Sequence, residues 1–173
     1  MRRKDREVRN LDWIWSVIAE GQLMHLALID KEGRPYALSV HYGYERSAGC
    51  LYFHGAMAGR KVEALRAHPS VAFNIFAGHV NLPRPGNPKR LWGVYRSVMG
   101  TGTVTTVSDP AEKLRIILKM KEHYGDTDAN YAVNETRLQN VVNIFSLKID
   151  ELTGKVKGYP NPDNPDASYV RER

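Results

Sequence analysis

The sequence is short of cysteine. Cys50 is the single thiol in 173 residues, so no internal disulfide can form, and a lone cysteine inside an apolar segment reads as a small core side chain. It also lacks any apolar run approaching the ~20 residues that a membrane-spanning helix needs, which excludes a helical span. The opening Met1-Arg2-Arg3-Lys4-Asp5-Arg6-Glu7 is charged and is not followed by a signal-type apolar stretch, so the expected location is the cytoplasm. Internal repeats and low-complexity tracts are missing. His25, His41, His68, His79 and His123 show no His-x-x-x-His or cysteine pairing, so no metal site is expected. Basic residues outnumber acidic ones, 25 to 19, for a formal charge of +6. They are spread over the N-terminal segment, Arg60-Lys61, Arg84 to Arg96 and Lys113 to Lys121, and no helix-turn-helix, zinc-finger or RNP-type signature accompanies them. A basic surface, rather than a nucleic-acid partner, is the expectation.

What is present centres on Cys50 to Pro69, CLYFHGAMAGRKVEALRAHP. Cys50-Leu51-Tyr52-Phe53 has the aromatic, apolar character of a buried strand. His54 to Gly59 is a loop of small residues, and Arg60 to Arg66 reads as a short helix with Val62 and Leu65 on one face, stopped by Pro69. A strand, a small-residue loop and a helix opening on Arg-Lys can cradle an anion, because first-turn amides, helix dipole and two cations converge. Gly55-x-x-x-Gly59-Arg60-Lys61 is not a Walker A loop: the glycines are one residue too close and no Ser or Thr follows the lysine. On the motif alone, a phosphate cradle and a solvated basic helix start are both open.

Around it the chain reads mainly as strands. Asn10 caps a predicted helix over Leu11 to Glu20, with Leu11, Ile14, Trp15 and Ile18 on one stripe; Trp13, off the stripe, faces either a partner subunit or solvent. His25 to Ile29 is a short strand, and Asp30-Lys31-Glu32-Gly33 is turn chemistry. From Tyr36 to Tyr44, bulky residues alternate with Ala37, Ser39, His41 and Gly43, leaving one face where a flat ring could lie or where a helix or solvent could sit. Val71 to Phe76 is a strand, Gly78 to Gly93 a proline-containing loop, and Trp92 a lid, interface or packing residue. Val94 to Val107 is a strand interrupted at Gly100 and Gly102. Ser108-Asp109-Pro110-Ala111-Glu112 starts a helix running to about Tyr124, its inner edge Leu114, Ile117, Leu118 and Lys121. A weaker helical segment covers Asp128 to Gln139, and Val141 to Ile149 closes the sheet. About six strands in meander order favour an antiparallel barrel over a doubly wound sheet. Two regions result: residues 1–155 as one domain, and 156–173 as a Pro/Asn/Asp-rich tail, extended or disordered.

The opening segment, His41-Tyr42-Gly43-Tyr44-Glu45, Leu51-Tyr52-Phe53-His54-Gly55-Ala56 with Gly59-Arg60-Lys61, and Tyr95-Arg96-Ser97-Val98 followed by glycine together resemble the pyridoxamine-phosphate-oxidase-related flavoproteins. The similarity is greatest to their nitroimidazole-resistance (Nim) branch. It covers roughly residues 1 to 155 and is sharpest from Tyr52 to Pro69. The resemblance implies a mainly β fold, a six-stranded antiparallel split β-barrel, forming a homodimer with FMN at the subunit interface. It implies that Arg60 and Lys61, with Gly59 alongside, hold the FMN phosphate. Leu38, Ser39 and Val40 would line the isoalloxazine, His54 and Gly55 would border it, and Ser97 would come from the facing subunit. In true pyridoxamine phosphate oxidases a serine precedes Arg-Lys and a basic C-terminal segment grips the substrate. Gly59 and the Pro/Asn/Asp-rich tail depart from both, so pyridoxal-phosphate synthesis does not carry over. The implied function is an FMN-dependent oxidoreductase acting on a small molecule, nitroaromatic compounds among the candidates; a non-catalytic flavin or haem binder on the same barrel is the alternative. His54 ends a strand beside the proposed ring and is either a proton donor or a hydrogen-bonded structural histidine.

Overall fold

Strand-forming segments and capped helices settle into eight strands and three α-helices in a computed structural model that describes residues 2–84, 86–126 and 141–165. In chain order these are β1 (Glu7–Val8), α1 (Leu11–Glu20), β2 (Met24–Ile29), β3 (Pro35–Val40), β4 (Tyr42–Glu45), β5 (Cys50–Ala56), α2 (Arg60–Ala67), β6 (Ser70–Arg84), β7 (Asn87–Val107), α3 (Pro110–His123) and β8 (Val142–Lys157). The hydrogen-bonded order is β3-β2-β6-β7-β8-β5-β4, with β1 on β8. β1–β8, β2–β3, β4–β5 and β5–β8 pair antiparallel, and the ends of the order, β3 and β4, do not pair with each other among the described residues, so the sheet is a split rather than a closed barrel. Two strands exceed the expected six: β1 is a two-residue addition, and the expected 36–44 strand divides at His41 into β3 and β4.

The contacts divide the chain into two units. The first comprises Met1–Gly21, Asn74–Met99 and Leu152–Arg173, the second Gln22–Phe73 and Gly100–Glu151. In the first, Asn10 caps α1 by accepting from the Trp13 amide at 2.9 Å, as expected. Ile14, Trp15, Val17 and Ile18 are buried, whereas Leu11, at the first position of the helix, is 58% exposed and Val17 takes its place on the stripe. The Trp13 ring lies against Gly154, where a Cβ would meet its Cζ3 at 2.6 Å. Within the expected 78–93 loop, β6 runs on to Arg84 and β7 begins at Asn87; Gly86 takes a positive φ of 74° at the turn. Proline fits a two-stranded ribbon wherever no ladder N–H is required. Lys157 sits over the Trp92 ring at 5.5 Å. The stretch after Gly158 is fastened to this unit: Tyr159 donates to the Gly78 carbonyl, Asn161 donates to the carbonyls of Asp5 and Glu7, and the Asp163 carboxylate accepts from the Asn10 amide.

In the second unit, Tyr52, Ile116, Met120 and Ile144 form a core cluster, with Cys50, Val107, Leu114, Ile117 and Val142 packed against it. Asp109 caps α3 by accepting from the Glu112 amide, with Pro110 in the first turn. The buried stripe of α3 is Lys113, Ile116 and Met120 rather than one including Leu118, which is 51% exposed. The i, i+3, i+7 spacing selects that face, and Lys113 covers it with its aliphatic stem. β7 runs through Gly100 and Gly102 without a break. Glycine is required there by close approach: a Cβ at Gly100 would stand 2.5 Å from the Glu151 carbonyl, and one at Gly102 would strike the Lys148 carbonyl. The helical segment expected over 128–139 lies outside the described residues.

Candidate functional site

β5 continues through His54, Gly55 and Ala56, pairing them with Ile144, Asn143 and Val142 of β8. The expected small-residue loop therefore shrinks to Met57-Ala58-Gly59. Strand pairing overrides the weak β-propensity of His-Gly-Ala, because the antiparallel ladder with β8 runs alongside all three. Gly59 is the N-cap of α2, with φ 113° and open space where a side chain would stand. Among the described residues no side chain caps the helix there.

Arg60 and Lys61 leave this end of α2 in different directions. Arg60 donates from Nη2 to Asp30 Oδ2 at 2.9 Å, and its guanidinium lies 4.3 Å from the centre of the Tyr36 ring. The side chain is still 54% exposed. Asp30, only 1% exposed, terminates β2 and accepts from the Glu32 and Arg34 amides and from Arg34 Nε as well as from Arg60. These donors, the Arg34 amide foremost, hold its carboxyl at about 2 despite burial. A second bridge, Lys31 to Glu63 at 2.8 Å, also ties the β2–β3 turn to α2.

Lys61 lies back over β5. Its Nζ donates to the His54 carbonyl at 3.1 Å and sits 5.7 and 5.9 Å from the Phe53 and Phe145 ring centres. Gly55 makes this path possible, since a Cβ there would meet Lys61 Cε at 2.7 Å. Burial lowers the ammonium's pKa. His54 is also lowered, by burial first and then by the charges of Lys61 and His41, so its imidazole is uncharged at neutral pH. His41 meets the Tyr124 ring edge-on at 5.2 Å, and Tyr124 is itself fixed by donating to the Gln22 carbonyl and accepting from the Tyr42 amide.

The structure thus gathers His54, Gly55, Gly59, Arg60 and Lys61 at one place. It separates the β3 residues by face. Leu38 and Val40 lie on the inner side, opposite Leu26 and Met24, while Ser39 points outward, its Oγ 2.8 Å from Nδ1 of His25. Ser97 is buried in β7 and belongs to the first unit. Sequence reasoning missed Asp30, Tyr36 and the Phe53–Phe145 pair, whose rings stack at 5.0 Å. Asp30-Lys31-Glu32-Gly33 signalled a turn, and nothing in that signal says that its carboxylate receives a guanidinium from thirty positions downstream.

The pyridoxamine 5'-phosphate oxidase family profile matches residues 11–156, and the chain belongs to that family. Among solved structures, it is similar to a candidate 5-nitroimidazole antibiotic resistance protein from Bacteroides thetaiotaomicron. That match has 25% identity and a TM-score of 0.75, covering 87% of this chain and 86% of that one. A flavocytochrome from Azotobacter vinelandii shares 19% identity with a TM-score of 0.76, over 100% of this chain and 79% of the other. An FAD- and haem-binding protein from Mycobacterium smegmatis shares 17% identity with a TM-score of 0.73, over 87% and 73%. The comparison with curated proteins returned no match.

Proposed function

We propose that this chain is an FMN-binding oxidoreductase that works as a cytoplasmic homodimer on a small molecule, with nitroaromatic compounds the favoured class. The observation that carries the reading is the incomplete neutralisation of charge at the start of α2. Arg60 and Lys61 adjoin first-turn amides with no side-chain cap; among the described residues Arg60 shares one carboxylate with Arg34, and Lys61 meets only a carbonyl and two rings. A phosphate dianion supplies the missing negative charge. The donors suit it: a planar guanidinium fork already aimed by Asp30, an ammonium, and amides next to a glycine whose open position lets an anion approach.

In this reading Arg60, Lys61 and Gly59 hold the phosphate. Leu38, Ser39, Val40, His54 and Gly55 border the isoalloxazine, and Ser97 is contributed by the second subunit. FMN, when bound, supplies the electron chemistry. The chain's own part is orientation and proton control. Uncharged His54 can accept a proton at a ring nitrogen, and burial, with the charge of Lys61 nearby, keeps it in that state. Support for a nitroaromatic substrate comes from the likeness to the Bacteroides thetaiotaomicron protein.

An absorbance spectrum of the purified protein, followed by titration with FMN, FAD and haem, tests the reading. A flavin spectrum with preference for FMN, bleached by a nicotinamide donor and restored by a nitroaromatic, is expected. A Soret band with no flavin affinity would contradict it.

A further inference from the structure

Asp30 and Tyr36 hold the Arg60 guanidinium from two sides. The Asp30 carboxylate follows β2, is almost wholly buried, and its two oxygens divide their work. Oδ1 accepts from the Glu32 and Arg34 amides and so fixes the turn, whereas Oδ2 accepts from Arg34 Nε and from Arg60 Nη2. Tyr36 stands opposite Leu28 in the β2–β3 register, and its ring centre lies 4.3 Å from the guanidinium carbon. Carboxylate and ring together fix where the group sits. Among the described residues Arg60 Nε and Nη1 meet no acceptor, so these donors stay available to a ligand.

We propose that Asp30 and Tyr36 are positioning residues: they hold Arg60 in the pose that meets a phosphate and thereby set the preference for a phosphorylated flavin. This rests on the reading of the α2 start as a phosphate site. A free arginine side chain has much rotamer freedom to lose, and a guanidinium ordered before the ligand arrives loses less on binding. The charge of Asp30 by itself acts the other way, because a carboxylate near a phosphate repels it. Two amides, Arg34 and Arg60 already answer that charge, so the ordering of Arg60 outweighs the repulsion. The two effects give opposite signs when the carboxylate is neutralised.

The ratio of FMN to riboflavin affinity, measured by fluorescence titration of full-chain variants with a urea melt of each, tests it. Asp30→Asn keeps an oxygen for the two turn amides and turns an NH2 group, which cannot accept, toward Arg60. The ratio is expected to fall about tenfold in this variant. It should fall several-fold in Tyr36→Leu and be kept in Tyr36→Phe, which retains the ring. The Tyr36 variants read the same proposal without touching the turn. Because both residues act through Arg60, Asp30→Asn and Tyr36→Leu should leave the ratio unchanged in an Arg60→Ala background. A packing defect alone would weaken both flavins together and leave the ratio where it was. An unchanged or raised ratio in Asp30→Asn or Tyr36→Leu, or an equal fall with and without Arg60, would overturn the proposal while the phosphate site stands. No preference for FMN in the unmodified chain would overturn both.

Discussion

Arg115 on α3 and Arg60 on α2 belong to the same unit and differ in what surrounds them. Arg115 meets two carboxylates and a phenol: Nε and Nη2 donate to Glu112, Nη1 to Glu45, and Nη2 also to Tyr52. Tyr52 in turn donates to Glu45 at 2.7 Å, and burial with that carboxylate pushes its hydroxyl up to about 12. Four hydrogen bonds hold the guanidinium, and the result is a clasp that fixes α3 to β4 and β5. Among the described residues, Arg60 has one carboxylate, which it shares with Arg34, and its neighbour Lys61 has none. Equal chemistry thus serves packing where the charge is matched, and in the proposed reading it serves recognition where charge is left over. This difference is why the start of α2, rather than the more heavily bonded Arg115 cluster, is read as the site.

Substitutions can break the contrast from either side. The largest effect is expected from Arg60→Ala combined with Lys61→Ala: FMN affinity should fall by about 100-fold or more, with little change in the melting temperature. Fluorescence titration and a thermal melt on the same samples measure both. Gly43→Ala should do the reverse. Its Cβ would stand 2.9 Å from Met120 Cγ and 3.0 Å from the α3 backbone, so overpacking should cost about 1–3 kcal/mol in urea unfolding and leave flavin affinity alone. Arg115→Met should cost about 1 kcal/mol, because the cluster is partly solvated, again without touching flavin affinity. Gly55→Ala tests Lys61 by itself: the new methyl displaces the flexible end of the lysine, so affinity should drop by several-fold while stability barely moves.

The smallest effect is in acid. Folding lowers the Asp30 pKa from the ordinary 3.8 to about 2, so the unfolded chain binds this proton more tightly than the folded one. The stabilisation is complete above about pH 4, shrinks as pH falls below that value, and is gone below about pH 2. Urea melts across that window should therefore flatten in Asp30→Asn relative to the unmodified chain.

The sheet and its helices were legible because alternation and capping are local signals. Tyr36 to Val40 alternates as its strand requires, and Asn10 and Asp109 cap the helices they precede. Arg60-Lys61 at a helix start was legible for the same reason. Long-range partners were not. Pairing with β8 makes strand of His54 to Ala56, ribbon pairing carries β6 to Arg84 and starts β7 at Asn87 within the expected 78–93 loop, and tertiary approach demands Gly100 and Gly102. Asp30 is the sharpest case. A turn signal says that its carboxylate caps local amides, as it does, but only the folded chain brings Arg60 to its second oxygen.

FMN and riboflavin differ only in the phosphate, so their relative affinities isolate the charge left over at α2. Titrating both into the unmodified chain and into the Arg60→Ala, Lys61→Ala double variant is the direct measurement. The account predicts a strong preference for FMN that collapses in the double variant; equal binding of the two flavins by the unmodified chain, or a preference that survives both substitutions, would contradict it.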